Sequence, residues 1–236
     1  MLLTVKKLNT FYGSSHALQD ISLTIDKGEI VALLGRNGMG KSTTLKSIMG
    51  LQKPKSGQVL FNENDIMGLP PFKIAMAGIG YVPEDRQIFG NLTVEENLRL
   101  GIKKNPVTNT STEWTVERIY DQFPFMARKR SLKGRFLSGG EQQMLTIARA
   151  LMGNPSLVLI DEPTEGLAPI IVNEIRDMLA EINRSGVSVL LVEHNYKVAS
   201  SVARRVYLMG KAHIGYEGTI EDLQANAEAR SKYLEV

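Results

Sequence analysis

The 236-residue chain contains no cysteine, which excludes disulfides and thiolate metal centres. No apolar run approaches the roughly 18 residues that a bilayer-spanning helix requires, so the chain is not expected to be a membrane protein itself. The formal charge is only +3, from 28 basic and 25 acidic residues, and so mild an excess gives no strong case for nucleic acid. Repeats, low-complexity tracts, long linkers and sustained heptads are also missing, so repeat arrays and long coiled coils do not enter. The N-terminus passes at once into polar, strand-like sequence, so no signal peptide is expected. What is present is a chain 43% hydrophobic, long enough for one sizeable core with a lobe attached.

The apolar run 30–34 (Ile-Val-Ala-Leu-Leu) predicts a strand buried on both faces of a parallel sheet. It leads into Gly35-Arg-Asn37-Gly38-Met-Gly40-Lys41-Ser42-Thr43, a Walker A loop opening a helix over 42–49. The glycines adopt conformations closed to other residues, so that consecutive N–H groups converge on phosphate oxygens. The helix N-terminus adds its dipole. Lys41 supplies a point charge to the β- and γ-phosphates, and the Ser42 hydroxyl is placed to ligate Mg²⁺. An ordinary Gly-rich turn would need none of this combination.

A second apolar run, 157–160 (Leu-Val-Leu-Ile), ends in Asp161-Glu162-Pro163. Ligands of open parallel sheets sit beyond the carboxyl ends of the strands, where these carboxylates emerge. Asp161 suits Mg²⁺, and Glu162 can orient or deprotonate an attacking water. Carboxylates after a strand also serve as helix caps; the Walker A loop upstream favours the catalytic reading. Further along, Ser138-Gly139-Gly140-Glu141 precedes Met144, Leu145, Ile147, Ala148 and Leu151. Ser-x-x-Glu is a capping box opening an amphipathic helix, which Gly153-Asn-Pro155 ends. Capping explains Ser138 and Glu141. It does not explain two adjacent glycines, which weaken a helix yet bare its N–H groups as a second anion site.

Leu137-Ser-Gly-Gly-Glu-Gln-Gln143, with both Walker motifs, resembles the signature of ATP-binding cassette (ABC) ATPases. The resemblance implies an α/β fold: a P-loop NTPase core with a mostly parallel sheet flanked by helices, a small antiparallel β region and an inserted helical lobe. The 236 residues would be a single nucleotide-binding domain, with core and β region at about 1–83 and 156–236 and the lobe at about 84–155. It further implies a head-to-tail homo- or heterodimer in which MgATP held by Asn37, Gly38, Gly40, Lys41, Ser42 and Thr43 of one subunit is covered by Ser138, Gly139, Gly140 and Glu141 of the other. By the same resemblance Tyr12 stacks on adenine and His194 contacts the γ-phosphate. Taken alone, Tyr12 reads as a surface turn residue and His194 as a partly exposed strand-end histidine.

Two positions depart from the general pattern. Glu84 stands where most cassettes place a Gln that senses Mg²⁺; a carboxylate can ligate Mg²⁺ but adds negative charge beside a triphosphate. Ala168 ends a segment that commonly closes on Asp, and it cannot make that residue's polar contact across the dimer. With Leu-Thr-Val-Glu-Glu-Asn-Leu at 92–98 and Gly-Leu-Ala-Pro at 166–169, these departures resemble the ATPase subunits of branched-chain, or hydrophobic, amino-acid importers. Urea importers carry close relatives. The implied partners are two transmembrane permease subunits and, indirectly, a periplasmic or extracellular solute-binding protein, with the chain peripheral on the cytoplasmic face of the membrane. The rival of another class is a soluble ABC ATPase of DNA repair or translation; a P-loop kinase would leave 138–143 unexplained.

Elsewhere the pattern predicts strands at 2–8, 18–25 and 58–62, a capping box at 93–96, a polar loop at 103–112 and a helix over 113–123 stopped by Pro124. It then predicts a helix over 170–184, a strand over 187–192, a helix from Asn195, a hairpin (206–209 and 213–216) turned at 210–211, and one capped helix over 219–233. Nothing is left for a regulatory domain. The basic run 128–135 reads as a solvated loop, or as attraction to anionic lipid or a partner's acidic face.

Overall fold

The unbroken apolar runs become neighbouring parallel strands, and everything else is arranged on their two faces. The computed structural model describes residues 1–103 and 113–234. In chain order the strands are β1 (Leu3–Tyr12), β2 (Ser15–Ile25), β3 (Ile30–Leu34), β4 (Ser56–Phe61), β5 (Asn64–Asp65), β6 (Ile79–Val82), β7 (Leu157–Asp161), β8 (Ser188–Glu193), β9 (Arg205–Gly210) and β10 (His213–Thr219). The first five helices are α1 (Lys41–Ile48), α2 (Pro71–Ala77), α3 (Val94–Leu100), α4 (Val116–Gln122) and α5 (Pro124–Arg128). They are followed by α6 (Gly139–Leu151), α7 (Pro169–Arg184), α8 (Tyr196–Val202), α9 (Ile220–Ala225) and α10 (Ala227–Tyr233).

One sheet has the order β10-β9-β3-β8-β7-β6 and is parallel except for β10, which pairs antiparallel with β9 at the edge. Strands β3, β7 and β8 are buried along their whole length. Period-2 alternation divides their side chains between two cores. Ala32, Leu34, Val158, Ile160, Val189 and Leu191 face the core shared with α3–α7. Val31, Leu33, Leu157, Leu159, Leu190 and Val192 face the core beneath α1 and the second sheet. A strand apolar on both faces has no polar side to betray its period, which is why these segments read as continuous runs. The second sheet is antiparallel, β2-β1-β4-β5. Arg205 ties the two sheets together, donating to the Thr24 carbonyl (2.6 Å) and the Glu29 carboxylate (2.9 Å).

Several boundaries differ from the sequence expectations, each for a local reason. Strand β1 runs on to Tyr12 and β2 starts at Ser15; register shifts between Val5 and Phe11, with Lys7 at φ 44°, break the alternation that would have shown it. The expected 113–123 helix begins only after Thr115, whose hydroxyl accepts from the Arg118 amide, and Pro124 opens α5 rather than merely ending a helix. The single helix expected over 219–233 is two, because Asn226 ends α9 and caps α10 by accepting from the Ala229 amide. The β9–β10 turn lies at Lys211 and Ala212, both at positive φ, one residue later than expected. Helix α2 had no sequence expectation; it starts at a Pro pair and ends at Gly78. From residue 104 onward the expected polar loop lies outside the described residues.

Between β6 and β7 the expected capping box is present at Thr93 and Glu96. Behind it, buried Asn97 accepts from the Phe89 amide and donates to the carbonyls of Phe89, Leu92 and Thr93. That fan of bonds pins the segment leading from β6 into α3. Among the described residues no helix is long and apolar enough to cross a membrane.

Candidate active site

At the carboxyl end of β3 the chain turns through Gly38 and Gly40 into α1. Gly40 sits at φ 104°, where a Cβ would lie 2.8 Å from the Ala17 carbonyl oxygen and 2.8 Å from Met209 Cε; only glycine meets both demands. The turn aims Lys41 back over the loop. Its ammonium, 3% exposed, donates to the carbonyls of Gly35 (2.8 Å) and Arg36 (3.1 Å) and pairs with Glu162 Oε1 at 3.0 Å. Ser42, next on α1, donates to Asp161 Oδ1 at 2.9 Å.

Asp161 and Glu162 arrive from the end of β7, as their position after an apolar run implies. Glu162 has φ 42°, an uncommon conformation for this residue type, and its amide donates to the Val192 carbonyl. This directs its carboxylate between Lys41 and His194, whose Nδ1 lies 3.0 Å from Glu162 Oε2. Burial opposes the charge on Glu162, but Lys41 and then His194 outweigh it and hold the carboxyl below its ordinary range. Asp161 has only the weaker pull of Lys46. Burial, reinforced by the charges of Glu162 and Glu84, pushes it up to about 6 despite the Ser42 hydrogen bond.

The two acids are thus tuned apart, one ionised and one ready to take a proton. For Asp161 the native state holds a proton that the unfolded chain has released between about pH 4 and 6, so its contribution to stability falls as pH rises through that window. Asp161→Asn removes the dependence. The variant should therefore gain stability relative to the parent, by roughly 3 kcal/mol at most, as pH rises from about 4 to about 7. Urea unfolding at each pH measures this, and a constant difference would refute it.

Lys41, Ser42, Glu162 and Glu84 line one cavity of about 680 Å³. Asn37, Gly38, Gly40 and Thr43 form its loop side, and the ring of Tyr12, 46% exposed, stands at its rim. The Ser42 hydroxyl against the Asp161 carboxylate offers hard oxygen donors suited to Mg²⁺. Among the described residues no group of three or more acidic or histidine side chains forms a metal cluster.

The second Gly-rich helix start lies elsewhere. Ser138 caps α6 with its hydroxyl on the Glu141 amide, and the Glu141 carboxylate returns to the Ser138 amide. That carboxylate also pairs with Lys129, so its side chain is committed to the cap rather than turned outward to a ligand. Gly139 packs beneath Arg86, whose Nη1 lies 2.5 Å from where a Cβ would be, and Gly140 packs against Ile171. None of residues 138–141 lines the Lys41 cavity. One chain therefore assembles the loop, Tyr12 and the carboxylates but keeps the second helix start apart. His194 flanks the site through Glu162 without lining the cavity itself.

Two acids went unassigned in the sequence. Glu165 lines the cavity and hydrogen-bonds Glu162, so burial and that neighbour push its carboxyl up; it follows the β7 carboxylates by a few residues, with no pattern to mark it. Glu193 ends β8 fully buried, and the signal available was a charge closing a wholly apolar run.

The residue profile of the ABC transporter family matches residues 18–165. The chain is 39% identical to the high-affinity branched-chain amino acid transport ATP-binding protein BraG of Pseudomonas aeruginosa, over 99% of each chain. It is 36% identical to the lipopolysaccharide export system ATP-binding protein LptB of Haemophilus influenzae, covering 99% of this chain and 97% of that one. Among solved structures, a dimeric post-hydrolysis ATP-binding cassette bound to ADP and Pi superimposes with a TM-score of 0.78 at 29% identity, covering 92% of this chain and 98% of that one.

Proposed function

The chain belongs to the ABC transporter family, and from that premise we propose that it powers an importer of branched-chain or other hydrophobic amino acids. As a member of that family it is an ATPase subunit of a transporter. The observation that carries the mechanism is the half-built site. Lys41, Ser42 and Glu162 converge on one cavity, while Ser138–Gly140, at the start of α6, lie outside it. Two copies, or this chain and a cousin, complete each other head to tail; the dimeric structural neighbour supports pairing of two cassettes.

MgATP enters against the Walker A loop, with Tyr12 under the adenine. Mg²⁺, held by Ser42, Asp161 and Glu84 together with phosphate oxygens, would supply charge neutralisation at the transferring group. The chain's own residues do the rest. Lys41 is shared between two carbonyls and Glu162, so a γ-phosphate competes directly with Glu162 for the ammonium. Once Lys41 turns to phosphate, Glu162 is freed to orient water, and His194 holds its other oxygen. Closure follows from tighter nucleotide binding by the closed pair.

The permease subunits dock at the cleft between the sheet core and the lobe, near Glu84, Asp85 and Arg86. A separate groove of about 470 Å³, lined by Tyr81, Phe89, Leu100 and Arg149, flanks this segment in sequence, with Phe89 and Leu100 more than half exposed. Docking of this kind puts the chain on the cytoplasmic face of the membrane, with the solute-binding protein on the other side. The 39% relative and the Glu84 and Gly-Leu-Ala-Pro segments support amino acid as the cargo. In proteoliposomes holding the chain with its permease and receptor, leucine, isoleucine or valine should stimulate phosphate release several-fold. Stimulation by urea alone, or by lipopolysaccharide without any receptor, would overturn the assignment.

A further inference from the structure

Two separate loops carry the reacting pair, and one buried carboxyl joins them. Glu193 is 0% exposed at the end of β8. Its Oε1 accepts from the Thr164 hydroxyl at 2.6 Å, and its Oε2 accepts from the Asn195 amide at 3.3 Å. Thr164 lies two residues beyond Glu162, and Asn195 one beyond His194. No cation pairs with Glu193 among the described residues. The charged or titratable groups that face it are His194 on its own strand end and Glu162 from β7, while burial pushes its pKa up. A carboxyl at this depth is costly unless it is bound, and a valine would have continued the apolar run. An ordinary buried loop brace would leave the chemistry alone; this one attaches to both loops that aim the catalytic groups.

We propose that Glu193 is a positioning residue for ATP hydrolysis, fixing the 3.0 Å approach of His194 to Glu162 by tying the loop after β7 to the loop after β8. The proposal rests on the ATPase reading of Glu162 and His194. Its mechanism is geometric: with the brace gone, each loop keeps its backbone yet loses its register against the other. Misplacement of a reacting group by about 1 Å can cost on the order of 10²-fold in rate.

Single-turnover and steady-state phosphate release by the intact chain at saturating MgATP test it. Glu193→Ala should lower kcat by about 10- to 100-fold while KM for ATP stays within about threefold. Glu193→Gln should recover most of the rate, since its amide oxygen can accept from Asn195 and its NH₂ can donate to the Thr164 hydroxyl. Thr164→Val should reproduce the loss, and Thr164→Ser should not. In a His194→Ala background, Glu193→Ala should add no more than about twofold, because positioning works through the group already removed.

Equal losses in both backgrounds, wild-type kcat in Glu193→Ala, or a fall in rate accompanied by equal loss in the Gln variant would each overturn the proposal. If Glu193→Ala fails to fold, the Thr164 pair and the Gln variant decide. A parent chain that releases no phosphate, by contrast, would defeat the ATPase reading itself.

Discussion

Glu162→Gln should slow ATP hydrolysis by about 10²- to 10⁴-fold, the usual weight of a general base, while nucleotide still binds. The expectation comes from the electrostatics of the site. Glu162 is nearly buried, and burial raises its pKa; Lys41 and His194 outweigh that and hold it below the ordinary carboxylate range. A glutamine keeps the shape and both neighbours but cannot accept a proton or orient water with a full negative charge. Lys41 also loses its competing carboxylate, so affinity for ATP should hold or rise. Nucleotide titration alongside phosphate release separates the two effects. Turnover near that of the parent would place the base elsewhere, with Glu165 the next carboxylate on the cavity wall.

Ser138→Arg should abolish ATP-dependent dimerisation and reduce steady-state hydrolysis to the level of the Glu162→Gln variant. Ser138 is an exposed cap, and losing its hydroxyl costs helix α6 only about 1 kcal/mol, so the chain should still fold and one copy should still bind nucleotide. In the proposed head-to-tail pair the bulk would stand where the partner's triphosphate meets the α6 start at Gly139 and Gly140. Light scattering of the Glu162→Gln background with and without ATP reads the result directly. An undiminished dimer would mean that the α6 start is not the second half of the site.

Much of this was legible in the amino-acid string, for physical reasons. Buried parallel strands announce themselves as apolar runs, and a phosphate loop needs its glycines and lysine at fixed spacing, so the β3–α1 unit and the β7 carboxylates stood out. The capping boxes at Thr93 and Ser138 were equally plain. What stayed hidden depends on tertiary proximity. Nothing in the order of residues says that Glu162 divides itself between Lys41 and His194, or that Glu165 reaches the same cavity. Bulges in β1 erased its alternation, and Asn226 split a helix whose apolar spacing continues on both sides.

Arg86 touches α6 at two points, its start and its middle. Its guanidinium lies over Gly139, and its carbonyl accepts from the Thr146 hydroxyl on α6, while its own backbone holds φ 54°. It belongs to the segment, with Glu84 and Asp85, proposed above as the permease contact. In the proposed complex, a push on that segment would reach α6 through this one residue. Cargo movement and nucleotide clamping would then share one lever, and lengthening or shortening it by a methylene should uncouple the two while leaving each half intact.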